Sequence, residues 1–225
     1  GRILDALYST PAGNNTLVVF MSDHGDGMGA HGMSTKQVSF YEEVTRVPLM
    51  FAGPGISGRG RMLDDPLVSL LDLAPTLFDY ANLGTPDGME GISLMSWLRG
   101  EGDAPGRGHV VCEWHTEWGY TVSPGRMLRT ERFKYTNYLE GNGEELYDLD
   151  NDPGEKRNLA RDSGYRDELE RHRMLLREHV REVRDPYFGQ GVQVDERWRS
   201  HEVGYENHTG PCAPEAAWEA EEEGN

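Results

Sequence analysis

The stretch Thr16–Lys36, TLVVFMSDHGDGMGAHGMSTK, determines the fold class that we predict for this chain. It begins with an apolar run at 17–21 that is rich in β-branched residues and too short for a buried helix. Such a run is typical of a strand buried on both faces, as in a parallel sheet. In open α/β sheets, ligands bind beyond the carboxyl ends of the strands. We therefore expect a binding site at 22–25, where the run ends.

Two adjacent side chains at this predicted strand end, Asp23 and His24, are the candidate metal ligands. A carboxylate oxygen and a neutral imidazole both bind divalent cations. Gly25 allows the chain to turn so that both side chains reach one ion. Lys36 ends the glycine-rich segment and could supply a fixed positive charge for an anionic group. From these residue types alone, a turn-capping aspartate, an ordinary loop histidine and a solvated lysine are the alternative interpretation.

The residues that follow resemble a known family. The sequence of 22–55, SDHGDGMGAHGMSTKQVSFYEEVTRVPLMFAGPG, resembles the sulfatase family of the alkaline-phosphatase-like superfamily. Its motifs occur in the family's order: Ser22-Asp23-His24-Gly25, His31-Gly32, Lys36, Tyr41-Glu42-Glu43 and Arg46-Val47-Pro48-Leu49. The later stretches 68–83 and 129–159 resemble the family's next helix and its C-terminal end. The chain thus looks like the C-terminal portion of a sulfatase.

The resemblance assigns roles to three of these residues. It implies that Asp23 and His24 are ligands of the active-site divalent cation, and that Lys36 is catalytic and binds the sulfate oxygens of the substrate. Calcium is the first choice of cation. Manganese is the alternative, because an imidazole nitrogen is a less typical calcium ligand. In the same family the segment containing Glu42 and Glu43 is structural.

The nucleophile expected of such an enzyme has no counterpart here. Sulfatases of this kind use a formylglycine made from Cys or Ser in a C-x-P-S-R-type motif, and neither Cys112 nor Cys212 lies in one. We therefore expect the formylglycine in a missing N-terminal part, which would be the partner of this chain. Because the sequence opens at Gly1 rather than Met, its native start is expected to lie upstream. The chain alone is predicted to have no sulfatase activity.

The predicted fold class is α/β, in two domains followed by a tail. Residues 1–105 are expected to form the C-terminal part of an alkaline-phosphatase-like mixed or parallel sheet sandwiched by helices. Residues 106–190 contain short segments rich in Val, Tyr, Phe and Thr, separated by turns, which predict a small antiparallel sheet. A C-terminal helix over 162–184 with one apolar stripe is predicted to pack in this subdomain. Residues 191–225 are expected to form an irregular acidic tail.

A segment of aromatic and acidic residues at 112–118, CEWHTEW, contains a second candidate substrate-binding residue, His115. In sulfatases the C-terminal subdomain often supplies specificity residues near the mouth of the pocket. His115 could hydrogen-bond the substrate while Trp118 stacks on a sugar face. Core tryptophans with a capping histidine are an equal alternative. This segment alone makes a sulfated carbohydrate the first choice of substrate, within the wider class of sulfated small molecules.

Composition excludes some classes of function. The chain carries 22 Lys and Arg against 39 Asp and Glu, a formal charge of −17, which argues against nucleic-acid binding. No apolar run is long enough to predict a membrane span. The cysteines do not decide between a periplasmic or secreted compartment and the cytoplasm. Two alternatives to a sulfatase remain: a phosphonate or phosphodiester hydrolase of the same superfamily, and a non-catalytic truncated remnant.

Overall fold

The computed structural model describes residues 1–36, 39–58, 60–62, 67–102, 106–114, 125–138, 143–185 and 187–188. The chain divides into two compact units, Gly1–Gln37 with Glu43–Val110, and Val38–Glu42 with Val111–Asn225. The short segment 38–42 therefore groups with the C-terminal unit, although the residues on either side of it belong to the first. The predicted tail, 191–225, and the candidate residue His115 both lie outside the described residues.

The first unit combines short helices with a two-stranded ribbon. Its elements are α1 (Arg2–Tyr8), β1 (Val18–Met21), α2 (Glu42–Thr45), β2 (Leu49–Ala52), α3 (Leu73–Tyr80) and α4 (Met95–Arg99), with α2 beginning on the last residue of segment 38–42. Leu94, Met95 and Leu98 form its buried apolar cluster. Helices and strands in one chain agree with the predicted α/β class.

The predicted parallel pairing of the apolar strand is not confirmed. β1 pairs with β2 in antiparallel register, with Phe20 opposite Met50. These two side chains are 57% and 55% exposed, so β1 is not buried on both faces in the described structure. The reason is that an apolar run indicates only that a strand is suited to burial. The direction of pairing depends on the partner strand, which the run does not specify.

The start of α3 is held by a buried carboxylate. Asp72 is fully buried, and it accepts hydrogen bonds from the backbone N–H groups of Ser69 and Ile92 and from both guanidinium NH₂ groups of Arg107. Burial alone would raise the pKa of Asp72, but the Arg107 guanidinium and the two N–H groups hold it below its usual range. Helix α3 begins at the next residue, Leu73, within the stretch 68–83 that was expected to contain a helix.

The second unit contains the predicted antiparallel sheet and its helix. The strands are β3 (Val110–Trp114), β4 (Gly125–Arg129), β5 (Phe133–Tyr138) and β6 (Glu144–Asp148), in that spatial order. The β4–β5 and β5–β6 pairs are antiparallel, as predicted. Helix α5 (Arg166–Glu182) contributes Leu169, Leu176 and Val180 to a core shared with Leu128 and Leu146. Throughout the part of the chain that is described, no helix is long and apolar enough to cross a membrane.

Candidate active site

The structure places Asp23 and His24 side by side, one residue beyond the end of β1. The His24 backbone N–H donates to Asp23 Oδ1 at 3.0 Å, and Asp23 Oδ2 lies 3.8 Å from His24 Nε2. His24 Nδ1 is 2.8 Å from the carbonyl oxygen of Gly25. Since a carbonyl can only accept, this contact requires the proton on Nδ1, and in the neutral imidazole it is then Nε2, on the side of Asp23, that has the lone pair for a metal ion. This is the arrangement usual for a metal-binding histidine, whose other ring nitrogen donates to a backbone carbonyl.

This donor pair fits part of a divalent cation's ligand set. Ligands of one ion at about 2.3 Å can be up to about 4.6 Å apart, so a separation of 3.8 Å between Oδ2 and Nε2 is compatible with one shared ion. Among the described residues, no group of three His, Cys, Asp or Glu side chains is arranged to hold a metal. Because calcium takes about six to eight ligands, the others would have to come from outside this set.

Lys36 lies within electrostatic range of the pair. The pKa of Asp23 is lowered mainly by the hydrogen bond from the His24 backbone N–H, and the positive charge of Lys36 adds a smaller lowering. The Asp23 side chain is 84% exposed, which leaves its second oxygen accessible. The structure thus places Asp23 next to His24, and the positive charge of Lys36 acts on the Asp23 carboxylate.

Glycine is required where the loop passes α2. A Cβ at Gly25 would lie 1.9 Å from the carbonyl oxygen of Glu43, a distance that no side chain can tolerate. The Gly25 N–H donates to the carbonyl of Val44 at 2.8 Å. Further along the loop, His31 Nε2 lies 3.8 Å from Glu43 Oε2. The segment that carries the two predicted metal ligands is therefore packed directly against the backbone of α2.

Two buried residues bind the first residue of α2, Glu42, and were not predicted from the sequence. Lys134 and Glu155 are 1% and 2% exposed, and the Lys134 ammonium lies 2.7 Å from Glu42 Oε1 and 2.9 Å from Glu155 Oε1. The only sequence signal is that Lys134 stands between Phe133 and Tyr135 in β5. Alternation along a strand predicts that it points to the opposite face from both neighbours. Nothing in that pattern identifies its partners.

The remaining candidates add no nucleophile to the described part of the site. Cys112 is a free cysteine on β3, and burial raises the pKa of its thiol, the opposite of what a nucleophilic cysteine needs. His115 follows the end of β3 at Trp114 but is itself outside the described residues. Glu42, by contrast, is engaged by Lys134 and by Arg129 Nε at 3.5 Å, which agrees with a structural role.

Comparison with known proteins agrees with these motifs. The family model described as N-sulphoglucosamine sulphohydrolase, C-terminal, matches residues 29–184. A Delta 4,5-hexuronate-2-O-sulfatase of Bacteroides thetaiotaomicron is 52% identical over 214 residues, covering 95% of this chain and 44% of that protein. A solved structure of a 2-O GAG sulfatase matches with a TM-score of 0.80 and 52% identity, covering 94% of this chain and 46% of that chain.

A more distant solved structure is the phosphonate monoester hydrolase of Agrobacterium radiobacter. It matches with a TM-score of 0.69 and 30% identity, over 82% of this chain and 38% of that chain. The chain thus spans less than half the length of each of these three relatives. The predicted resemblance is confirmed by the family match and by the 52% identical relative. The chain belongs to the sulfatase family and corresponds to its C-terminal part.

Proposed function

We propose that the complete protein containing this chain is a sulfuric-ester hydrolase that removes a 2-O-sulfate from a hexuronate-containing carbohydrate. The observation that carries the substrate class is the 52% identity, over 95% of this chain, to a hexuronate-2-O-sulfatase. The chemistry is supported by the adjacent Asp23 carboxylate and His24 imidazole, with the Lys36 ammonium in electrostatic range. The phosphonate hydrolase likeness is weaker, at 30% identity, so a phosphonate or phosphodiester substrate is not favoured.

Each of the three residues has a distinct role in this proposal. Asp23 Oδ2 and His24 Nε2 hold a divalent cation, calcium first and manganese as the alternative. When bound, the cation would supply a Lewis acid that polarises the sulfate group. Lys36 is the catalytic residue that also binds the substrate. The fixed positive charge of its ammonium stabilises the negative charge on the sulfate oxygens as the ester bond breaks. The nucleophile, by family resemblance a formylglycine, lies in the N-terminal part outside this chain.

The test uses the full-length protein with three classes of substrate. We expect sulfate release from a Δ4,5-unsaturated disaccharide carrying a 2-O-sulfate on its uronate, and much slower release from the same disaccharide carrying a 6-O-sulfate on its hexosamine. Faster hydrolysis of a phenyl phosphonate monoester, at its P–O ester bond, than of either sulfate ester would establish the alternative hydrolase. Failure on all three would favour the non-catalytic remnant. The chain 1–225 by itself is expected to release no sulfate.

His115 is proposed as a residue that contacts the sugar. In the full-length protein, His115→Ala is expected to raise KM for the 2-O-sulfated disaccharide by about tenfold, in line with the loss of one hydrogen bond to a bound substrate. The value of kcat should change less than KM, because the contact is made away from the reacting sulfate. Unchanged kinetic constants would mean that His115 does not touch the substrate.

A further inference from the structure

A buried ion cluster holds the segment that enters α2. Lys134 Nζ donates to the Phe40 carbonyl at 2.9 Å and pairs with Glu42 Oε1 at 2.7 Å and Glu155 Oε1 at 2.9 Å. Arg129 Nε lies 3.5 Å from the same Glu42 oxygen. Two cations thus face two carboxylates, so the cluster is neutral in total. Lys134 and Glu155 are the fully buried members, and removing either one leaves the other without its buried partner, which is strongly destabilising.

The second oxygen of Glu155 binds the helix backbone itself. Glu155 Oε2 accepts a hydrogen bond from the N–H of Glu42, the first residue of α2, at 2.6 Å. Lys134 and Glu155 together therefore bind the backbone of Phe40 and Glu42. The ring of Phe40 also packs against the ring of Tyr138 on β5, with the ring centroids 6.0 Å apart. These contacts fix the position at which the chain enters α2.

The last turn of α2 binds the loop that carries the predicted metal ligands. The Val44 carbonyl accepts the Gly25 N–H at 2.8 Å, and the Gly25 carbonyl accepts His24 Nδ1–H at 2.8 Å. Helix α2 has only four residues, Glu42–Thr45, and an isolated helix of this length is unstable in water. Its position is consequently set by the groups that bind its two ends.

We propose that Lys134 and Glu155 are positioning residues for the Asp23–His24 pair and that they act through helix α2. The inference deepens the proposed function and rests on it, since it takes Asp23 and His24 as the cation ligands. If the cluster is broken, α2 loses the contacts at its first residue. The Val44 carbonyl then no longer fixes Gly25, and the His24 ring loses the fixed acceptor that orients it. Divalent-cation binding is weakened as a result.

The first test compares two variants of the full-length protein, each of which removes one positively charged side chain. Lys134→Met is expected to raise the calcium dissociation constant, measured by titrating calcium chloride into metal-free protein, by about ten- to a hundredfold, as for other residues that orient a metal ligand. The matched control is Arg173→Met. Arg173 pairs with Glu144 in the same unit and makes no contact with α2 among its described interactions. The control should stay within about twofold of wild type even where its thermal stability falls equally.

The second test is specific to the bond on α2 and does not depend on the folding of Lys134→Met. Glu155→Ala removes the acceptor of the Glu42 N–H, whereas Glu155→Gln keeps an oxygen in its place. We expect Glu155→Ala to weaken calcium binding by about tenfold and Glu155→Gln to restore most of that loss. A purely structural role would lower the melting temperature in both and leave the calcium dissociation constant unchanged.

Three outcomes would overturn the proposal. They are unchanged calcium affinity in folded Glu155→Ala, equal weakening by Arg173→Met, and a wild-type protein that binds neither calcium nor manganese. The cation titration needs no substrate. A wild-type protein that binds the cation but releases no sulfate would therefore refute the proposed function. The calcium titrations of the variants would still test whether Lys134 and Glu155 position the Asp23–His24 pair.

Discussion

Replacing Gly25 with alanine would place a methyl group against the backbone of α2. The new Cβ would lie 1.9 Å from the Glu43 carbonyl oxygen, while real Cβ atoms essentially never come closer than 3.0 Å. The two segments would have to separate by about 1 Å, and the bond from the Gly25 N–H to Val44 would stretch with them. Forced overpacking of this kind costs about 1–3 kcal/mol of stability. A displacement of about 1 Å at a catalytic group can cost about a hundredfold in rate.

The assay measures three quantities on full-length Gly25→Ala: the urea midpoint of unfolding, the calcium dissociation constant and kcat/KM for the 2-O-sulfated disaccharide. We expect all three to worsen, with kcat/KM falling by about a hundredfold. The control is Gly84→Ala, because nothing lies within 4 Å of a Cβ at that position. It should change the free energy of unfolding by no more than about 0.5 kcal/mol.

Two results would contradict this role of Gly25. If Gly25→Ala unfolds at the wild-type urea concentration and binds calcium as tightly as wild type, then the contact with Glu43 does not constrain the loop. If instead stability falls while calcium affinity and kcat/KM are unchanged, α2 supports the loop without positioning Asp23 and His24.

Three further predictions concern the core, the pH dependence and the proposed sulfate-binding lysine. Leu176→Ala, at a fully buried site on α5, should cost about 2–5 kcal/mol in urea unfolding, while Met174→Ala, at a site 58% exposed on the same helix, should cost less than about 0.5 kcal/mol. Burial lowers the pKa of His172 below its ordinary 6.5. The stability that depends on neutral His172 is therefore fully present above pH 6.5, and it is lost as the pH falls from there through the lower pKa of the folded state. The urea midpoint of unfolding should decrease over this pH range. In His172→Gln this decrease should be smaller. Lys36→Ala in the full-length protein should lower kcat by about a hundred- to a thousandfold, whereas the exposed Lys156→Ala should leave sulfate release unchanged.

The local features of the site could be predicted because they follow from residues close together in sequence. Asp23 and His24 are adjacent, they follow an apolar run after one intervening residue, Ser22, and Gly25 permits the turn after them. The antiparallel sheet of the second unit was equally accessible, because its short strands are separated by turns. The expected parallel pairing of β1 was not confirmed. That direction depends on β2, which begins at Leu49, far beyond the run that was interpreted.

The sequence by itself determined the family, and it indicated the residues proposed to bind cation and sulfate, since each depends on a short ordered motif. The tertiary structure alone decided that Glu155 would bind the backbone of Glu42 across 113 positions, and that Lys134 would lie between two carboxylates. The physical reason is that a buried charge must be paired, but its partner is chosen by how the folded chain packs. The position of a lysine in a strand does not predict which carboxylate will pair with it.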